Sequence, residues 1–159
     1  MHKICALLFF LTVFIYKIQA QGPVSRYGKL RLEGLQLSSE CSVPVQLKGF
    51  STHGPQWFGG CYSNYSYLDS LASDWKADVF RLALYVEEGG YVTNPGYWKN
   101  WVDKQVDEVG KRDMYCIIDW HVLADGDPMN NIEAAKDFWG YMSARHGSKK
   151  HVIYEICNE

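Results

Sequence analysis

Four short runs of β-type residues, at 45–50, 79–85, 115–121 and 152–157, begin 34, 36 and 37 residues apart, and apolar residues at helical spacing fill the gaps. In the first gap Leu68, Leu71, Ala72 and Trp75 fall at i, i+3, i+4 and i+7, with Ser66 and Asp69 spaced as a capping box. In the second, Trp98, Trp101, Val102, Gln105, Val106 and Val109 form the stripe, opened by Pro95 and closed by Gly110. The third carries Ile132, Ala135, Phe138, Trp139 and Met142, and Gly147 ends it. Ahead of all this, residues 28–39 alternate as a short hairpin, with Leu30 and Leu32 followed by Leu35 and Leu37. Right-handed crossovers make the βαβαβαβ order a parallel sheet.

The connections are unequal. Helix-to-strand turns at 76–78, 111–113 and 147–150 are short, whereas strand-to-helix loops at 51–64, 86–96 and 122–130 are long and rich in aromatic, Gly and polar residues. Long loops at strand C-termini are where a (β/α)8 TIM barrel builds its site. A doubly wound sheet fits the alternation too, but no GxGxxG or P-loop glycine cluster follows the first strand. The barrel is the better reading. A complete one needs about 250 residues, so the chain reads as the first four βα units, roughly half of the eight, behind a short N-terminal hairpin.

The start of the chain sharpens the picture of its compartment. Lys3, an apolar run from Ile4 to Tyr16 and the small Ala20 read as a signal peptide over residues 1–20, too short to span a membrane. The remainder, 21–159, has 14 basic and 18 acidic residues and is expected to be secreted, with no membrane attachment after cleavage. Its 47% hydrophobic and 15% aromatic content excludes a disordered tail, and its charge excludes a highly basic nucleic-acid binder. Of the four mature cysteines, Cys116 and Cys157 lie in apolar strand-like runs and read as buried free thiols. A Cys41–Cys61 bridge is the pairing left open, no CxxC spacing points to zinc, and Asn64-Tyr65-Ser66 is a glycosylation sequon.

Alternation assigns the candidate chemistry. In 79–85, Phe80, Leu82 and Leu84 face a helix layer while Val79, Arg81, Ala83 and Tyr85 face the barrel. A guanidinium there needs a carboxylate or a ligand as partner, and Glu155 is a natural candidate for a buried ion pair with it. Parity puts Glu155, Cys157 and Glu159 on one face, with Glu159 at the C-terminal rim, where a carboxyl near aromatic walls can donate a proton. His121, His53, Trp57 and Phe58 reach the same rim, a composition suited to stacking against and hydrogen-bonding sugars.

The segments from Val45 to Phe58, from Asp78 to Tyr85, from Ile118 to Pro128 and from Val152 to Glu159 together resemble glycoside hydrolase family 5, specifically the secreted β-1,4-endoglucanases (cellulases) of plant-parasitic nematodes and bacilli. The resemblance implies that Glu159 is the general acid/base, that Asn158 holds the sugar 2-hydroxyl, and that Arg81 supports the nucleophile carboxylate. It implies substrate-binding roles for His53, His121 and Tyr85, and an aromatic platform of Trp57 and Phe58. Pro55 stands where these enzymes often have Leu. The nucleophile glutamate belongs to later strands, so the chain is expected to be an N-terminal half of a monomeric retaining endo-β-1,4-glucanase, inactive by itself, needing no metal or organic cofactor. A mannanase or xylanase on the same barrel, or a noncatalytic carbohydrate-binding or effector protein if the natural chain ends here, are the competing readings.

Overall fold

The structure is a computed structural model and describes residues 21–124 and 126–159. The expected signal peptide at 1–20 lies outside the described residues. A hairpin of β1 (Arg31–Glu33) and β2 (Gln36–Ser38) follows a short helix α1 (Pro23–Tyr27). Then come β3 (Gly49–Ser51), α2 (Ser66–Ser73), β4 (Val79–Tyr85), α3 (Pro95–Lys111), β5 (Tyr115–His121), α4 (Ile132–His146) and β6 (Val152–Glu155). The sheet order is β3-β4-β5-β6, and all three pairings are parallel. Among the described residues, four parallel strands laid side by side in chain order are joined by three helices, the arrangement expected of part of a barrel. Among the described residues no helix is long and apolar enough to cross a membrane.

Each strand divides its residues between two environments. Phe80, Leu82, Leu84, Cys116, Ile118 and Trp120 are buried against the helices, where they meet Val102, Val106 and Val109 of α3 and Ala135, Phe138 and Met142 of α4. Trp120, Tyr91 and Phe138 form the centre of that layer, with ring centroids 5.1–5.2 Å apart. Aromatic packing of this kind supplies both the buried area and a preferred edge-to-face geometry. The other face is the barrel side. At its N-terminal end Val79 and Tyr115 pack against Val24 of α1, with Leu30, Leu47, Ile117 and Ile153 around them. The Tyr115 hydroxyl donates to the Gly28 carbonyl at 2.6 Å, which fastens the N-terminal segment under the sheet.

Several boundaries differ from the sequence expectation, each for a local reason. The first strand covers 49–51 rather than 45–50, because Val45 donates its N–H to Leu37 of the hairpin and the pairing with β4 begins only at Gly49. A Cβ at Gly49 would stand 1.8 Å from the Val79 carbonyl oxygen, so only glycine admits this close strand approach. The capping box does not form: Ser66 lies inside α2, its N–H and hydroxyl donate to Asn64 Oδ1, and Asp69 pairs with Arg112 at 2.7 Å. Trp75 falls beyond α2 and is 68% exposed. Gly110 does not close α3, which runs on to Lys111; the chain turns at Asp113, whose φ is +59°. In the hairpin, Leu32 and Leu35 point to solvent.

The last strand stops at Glu155 instead of Cys157. Beyond it the alternation is lost: Ile156 is exposed, and Cys157 packs at the edge of the helix-side core rather than beside Glu155. Cys116 is the buried thiol expected, and Cys157 is only partly buried. Cys41 and Cys61 are both free and exposed, so the bridge left open between them is not formed.

Candidate active site

The C-terminal ends of β3, β4, β5 and β6 and the loops that follow them carry a continuous group of side chains. Phe58, His53, Trp57, Tyr85 and His121 form a row of rings in which successive centroids lie 5.4, 5.9, 4.9 and 4.3 Å apart. Trp57 and Phe58 remain nearly half exposed. The loop after β3 holds its shape through backbone bonds from Trp57 and Phe58 to the Gly54 carbonyl. Tyr62 Oη, further along the same loop, accepts from the His53 N–H at 3.1 Å. Four residues that the sequence placed separately at the rim thus stand side by side with Tyr85, which it placed on the barrel face of β4. Half-exposed rings beside imidazole and phenol groups can stack on a sugar face and hydrogen-bond its hydroxyls.

Beneath the ring row lies a charged network. Arg81 Nε and a terminal nitrogen donate to the two oxygens of Glu155, each at 2.7 Å, in the bidentate geometry that fits guanidinium to carboxylate. The pairing of Arg81 with Glu155 is therefore as the strand parity indicates. The guanidinium has a second carboxylate, Asp119, whose Oδ2 lies 2.8 Å from Arg81 and 2.7 Å from His121 Nδ1. Asp119 is completely buried and its Oδ1 has no hydrogen-bond partner. Burial pushes the Asp119 carboxyl up to about 6, and Arg81 and His121 offset part of that rise. Arg81 pulls Glu155 in the other direction, below the usual carboxylate range.

Thr52 ties β3 into this arrangement. Its N–H donates to the Arg81 carbonyl and its Oγ1 accepts from the Ala83 N–H at 2.9 Å, so a side chain completes the ladder where the strand ends. On the other flank, Asn158 Oδ1 accepts from the Val122 N–H at 2.6 Å and Asn158 Nδ2 donates to the Val122 carbonyl at 3.0 Å. This amide clip fixes the chain after β6 against the end of β5. Glu159, the next residue, is exposed, and its backbone carbonyl lies 3.0 Å from Cys157 Sγ.

The structure brings together His53, Trp57, Phe58, Tyr85, His121 and Arg81; it sets Asn158 against backbone and leaves Glu159 open to solvent. Asp119 and Thr52 received no role from the sequence. Asp119 was legible in principle, since alternation along 115–121 puts it on the face of His121. Thr52 was not, because its function is to stand in for a backbone bond. Among the described residues no group of three or more His, Cys, Asp or Glu side chains is placed to hold a metal ion.

Comparison with known proteins places this geometry. Residues 38–159 match the family described as Cellulase (glycosyl hydrolase family 5). The chain is 49% identical over 137 residues to Endoglucanase E-5 of Thermobifida fusca, covering 86% of this chain and 29% of that protein. It is 46% identical over 139 residues to Endoglucanase MaCel5A of a Microbulbifer species, covering 86% and 27% respectively. The crystal structure of the catalytic domain of the Thermobifida fusca endoglucanase superposes with a TM-score of 0.84 at 48% identity, over 87% of this chain and 45% of that one. A variant of that domain has been solved in complex with cellotetraose, with the same score and coverage. The chain therefore spans less than a third of the curated relatives it matches and under half of the solved catalytic domain.

Proposed function

The chain belongs to glycosyl hydrolase family 5, and on that membership and the geometry of its strand ends we propose that it forms the N-terminal part of a retaining endo-β-1,4-glucanase. The observation that carries the reading is the ring row from Phe58 to His121, joined through His121 and Asp119 to the Arg81–Glu155–Asp119 network. In this reading the rings of Trp57 and Phe58 receive glucose units, and His53, Tyr85 and His121 bind hydroxyls near the cleavage point. Arg81 contributes a permanent positive charge that keeps an attacking carboxylate ionised.

Retention needs two carboxyls about 5–5.5 Å apart. Glu159 is assigned the first: it protonates the leaving glycosidic oxygen while the second attacks the anomeric carbon. It then removes a proton from the water that hydrolyses the glycosyl-enzyme. The second carboxylate is not among the residues of this site, and we assign it to a partner segment that completes the barrel. Residues 1–20 are assigned as an export signal, and export is read out by N-terminal sequencing of secreted protein, which should begin at Gln21.

The test uses residues 21–159 alone and the same residues joined to the C-terminal half of the Thermobifida fusca catalytic domain. The short chain should release no reducing sugar from soluble β-1,4-glucan above its Glu159→Ala control. The joined chain should be active, and Glu159→Gln should remove most of that activity, since an amide keeps the shape but cannot donate the proton. A joined enzyme indifferent to Glu159→Gln would remove Glu159 from the mechanism. One that prefers mannan or xylan would overturn the glucan assignment.

A further inference from the structure

Asp119 uses one oxygen for two partners, and that fixes the chemistry of a third group. Oδ2 lies 2.8 Å from an Arg81 nitrogen and 2.7 Å from His121 Nδ1, while the whole side chain is buried. The Arg81 guanidinium is positively charged at every accessible pH, and this ion pair holds negative charge on Oδ2. A proton taken up by the carboxyl goes instead to Oδ1, away from the guanidinium. Oδ2 is therefore an acceptor towards the imidazole, and a 2.7 Å contact between it and Nδ1 requires the hydrogen to sit on Nδ1. In a neutral ring the other nitrogen, Nε2, is then a bare acceptor on the side of the imidazole away from Asp119.

The bland account is that Asp119 only shares the charge of Arg81. It leaves two facts unused. Glu155 already takes two hydrogen bonds from the guanidinium at 2.7 Å, so a second and fully buried carboxylate is not required for neutrality. Asp119 also stands two residues before His121 on the same face of β5, the spacing that lets a buried group orient a rim group. His121 in turn packs on Tyr85, the last residue of β4, with ring centroids 4.3 Å apart, so the imidazole is held from below and from the side.

We propose that Asp119 is a positioning residue that locks His121 in its Nδ1–H tautomer and so presents Nε2 as a hydrogen-bond acceptor to a substrate hydroxyl. The substrate half of this statement rests on the glucan-binding reading above; the tautomer does not. The consequence is directional: His121 receives a hydroxyl hydrogen, where the opposite tautomer would offer one. A polyol chain can rotate a hydroxyl to satisfy either, but an acceptor excludes ligands that present only another acceptor at that point.

The experiment labels the histidines and tryptophans of the 159-residue chain with 15N and records proton–nitrogen correlations, including the long-range ones of the imidazoles, at pH 8. His121 should show a protonated Nδ1 and an unprotonated Nε2. Asp119→Ala, checked for folding by circular dichroism and melting, should lose the Nδ1–H majority, and Asp119→Ser, too short to reach the ring, should behave alike. A protonated Nε2 in the unmutated chain overturns the proposal without need of any variant, as does an unchanged tautomer in either folded variant. Adding cellotetraose should shift the Nε2 resonance of His121. If His53 and Trp57 resonances move and Nε2 does not, the recognition role of His121 is wrong. If none of them moves while the Nδ1–H tautomer is intact, the glucan-binding reading fails and the Asp119–His121 pairing stands.

Discussion

Asn158 grips Val122 by both ends of its amide, accepting from the Val122 N–H at 2.6 Å and donating to the Val122 carbonyl at 3.0 Å. An asparagine can do this because it carries an acceptor and a donor two bonds apart, matching one residue of strand edge. The contact prolongs the β5–β6 pairing beyond the point where β6 itself has ended at Glu155. It also sets the backbone that leads into Glu159.

Asn158→Asp tests the clip. A carboxylate still accepts from the Val122 N–H but faces the Val122 carbonyl with no hydrogen, and the net loss should be about 1–2 kcal/mol, felt locally. Amide hydrogen exchange at Val122 should quicken by about 5- to 30-fold, with global stability less affected. An unchanged rate at Val122 would show that the clip contributes nothing to the order of the rim.

Removing Arg81 should be costly for folding as well as for any activity. Arg81→Ala leaves Glu155 and the fully buried Asp119 facing each other with no cation, and stripping one partner from a buried ion pair costs about 3–5 kcal/mol. Arg81→Lys keeps the charge but not the planar fork, so it should lie between the two. Denaturant melts at pH 7 give the order directly. A Lys variant as stable as the parent would mean that the two 2.7 Å bonds to Glu155 are no better than a point charge.

Gly110 lies inside α3, where alanine is normally better than glycine by about 1 kcal/mol. Here a Cβ would stand 2.7 Å from His151 Nε2, and that ring nitrogen is held 3.2 Å from the Val106 carbonyl oxygen. Gly110→Ala should therefore destabilise by about 1 kcal/mol or more. In a His151→Ala background the same change should become stabilising, and the sign reversal is read from a double-mutant cycle of melts. Stabilisation in both backgrounds would refute the steric account.

Two buried groups should give the stability–pH curve opposing slopes. His146 is fully buried with Nε2 2.7 Å from Asp103 Oδ1, and burial pulls its pKa below the ordinary histidine value. The unfolded chain then binds the proton first, so stability is complete above about pH 6.5 and falls as the pH drops below it. Asp119, raised to about 6, works the other way: the folded state holds its proton more tightly, so this group costs stability as pH rises from about 4 to 6. Urea midpoints at pH 5 and 7 should show the acid-side loss reduced in His146→Gln. In Asp119→Asn the same comparison should show a smaller loss on going to pH 7. Parallel curves for parent and either variant would remove that group from the balance.

The regular elements were legible because each obeys a short-range rule. Alternation in 79–85 and 115–121 fixes which residues meet the helices, and a 3.6-residue stripe fixes the buried face of α3 and α4. The same alternation placed Arg81 opposite Glu155, 74 positions away, because parallel strands in register bring like faces together. What the pattern could not supply was anything set by a neighbour's backbone. Gly49 is demanded by the Val79 carbonyl, Gly110 by the His151 ring, and the early end of β6 is accompanied by Asn158 turning to Val122. Nor could it weigh Asp119, whose role comes from total burial and from sharing one oxygen between Arg81 and His121. Periodicity is a property of each segment alone, so the sequence by itself determined the layers and their faces. Close approaches, caps and shared hydrogen bonds depend on distances between segments, and only the tertiary structure decided those.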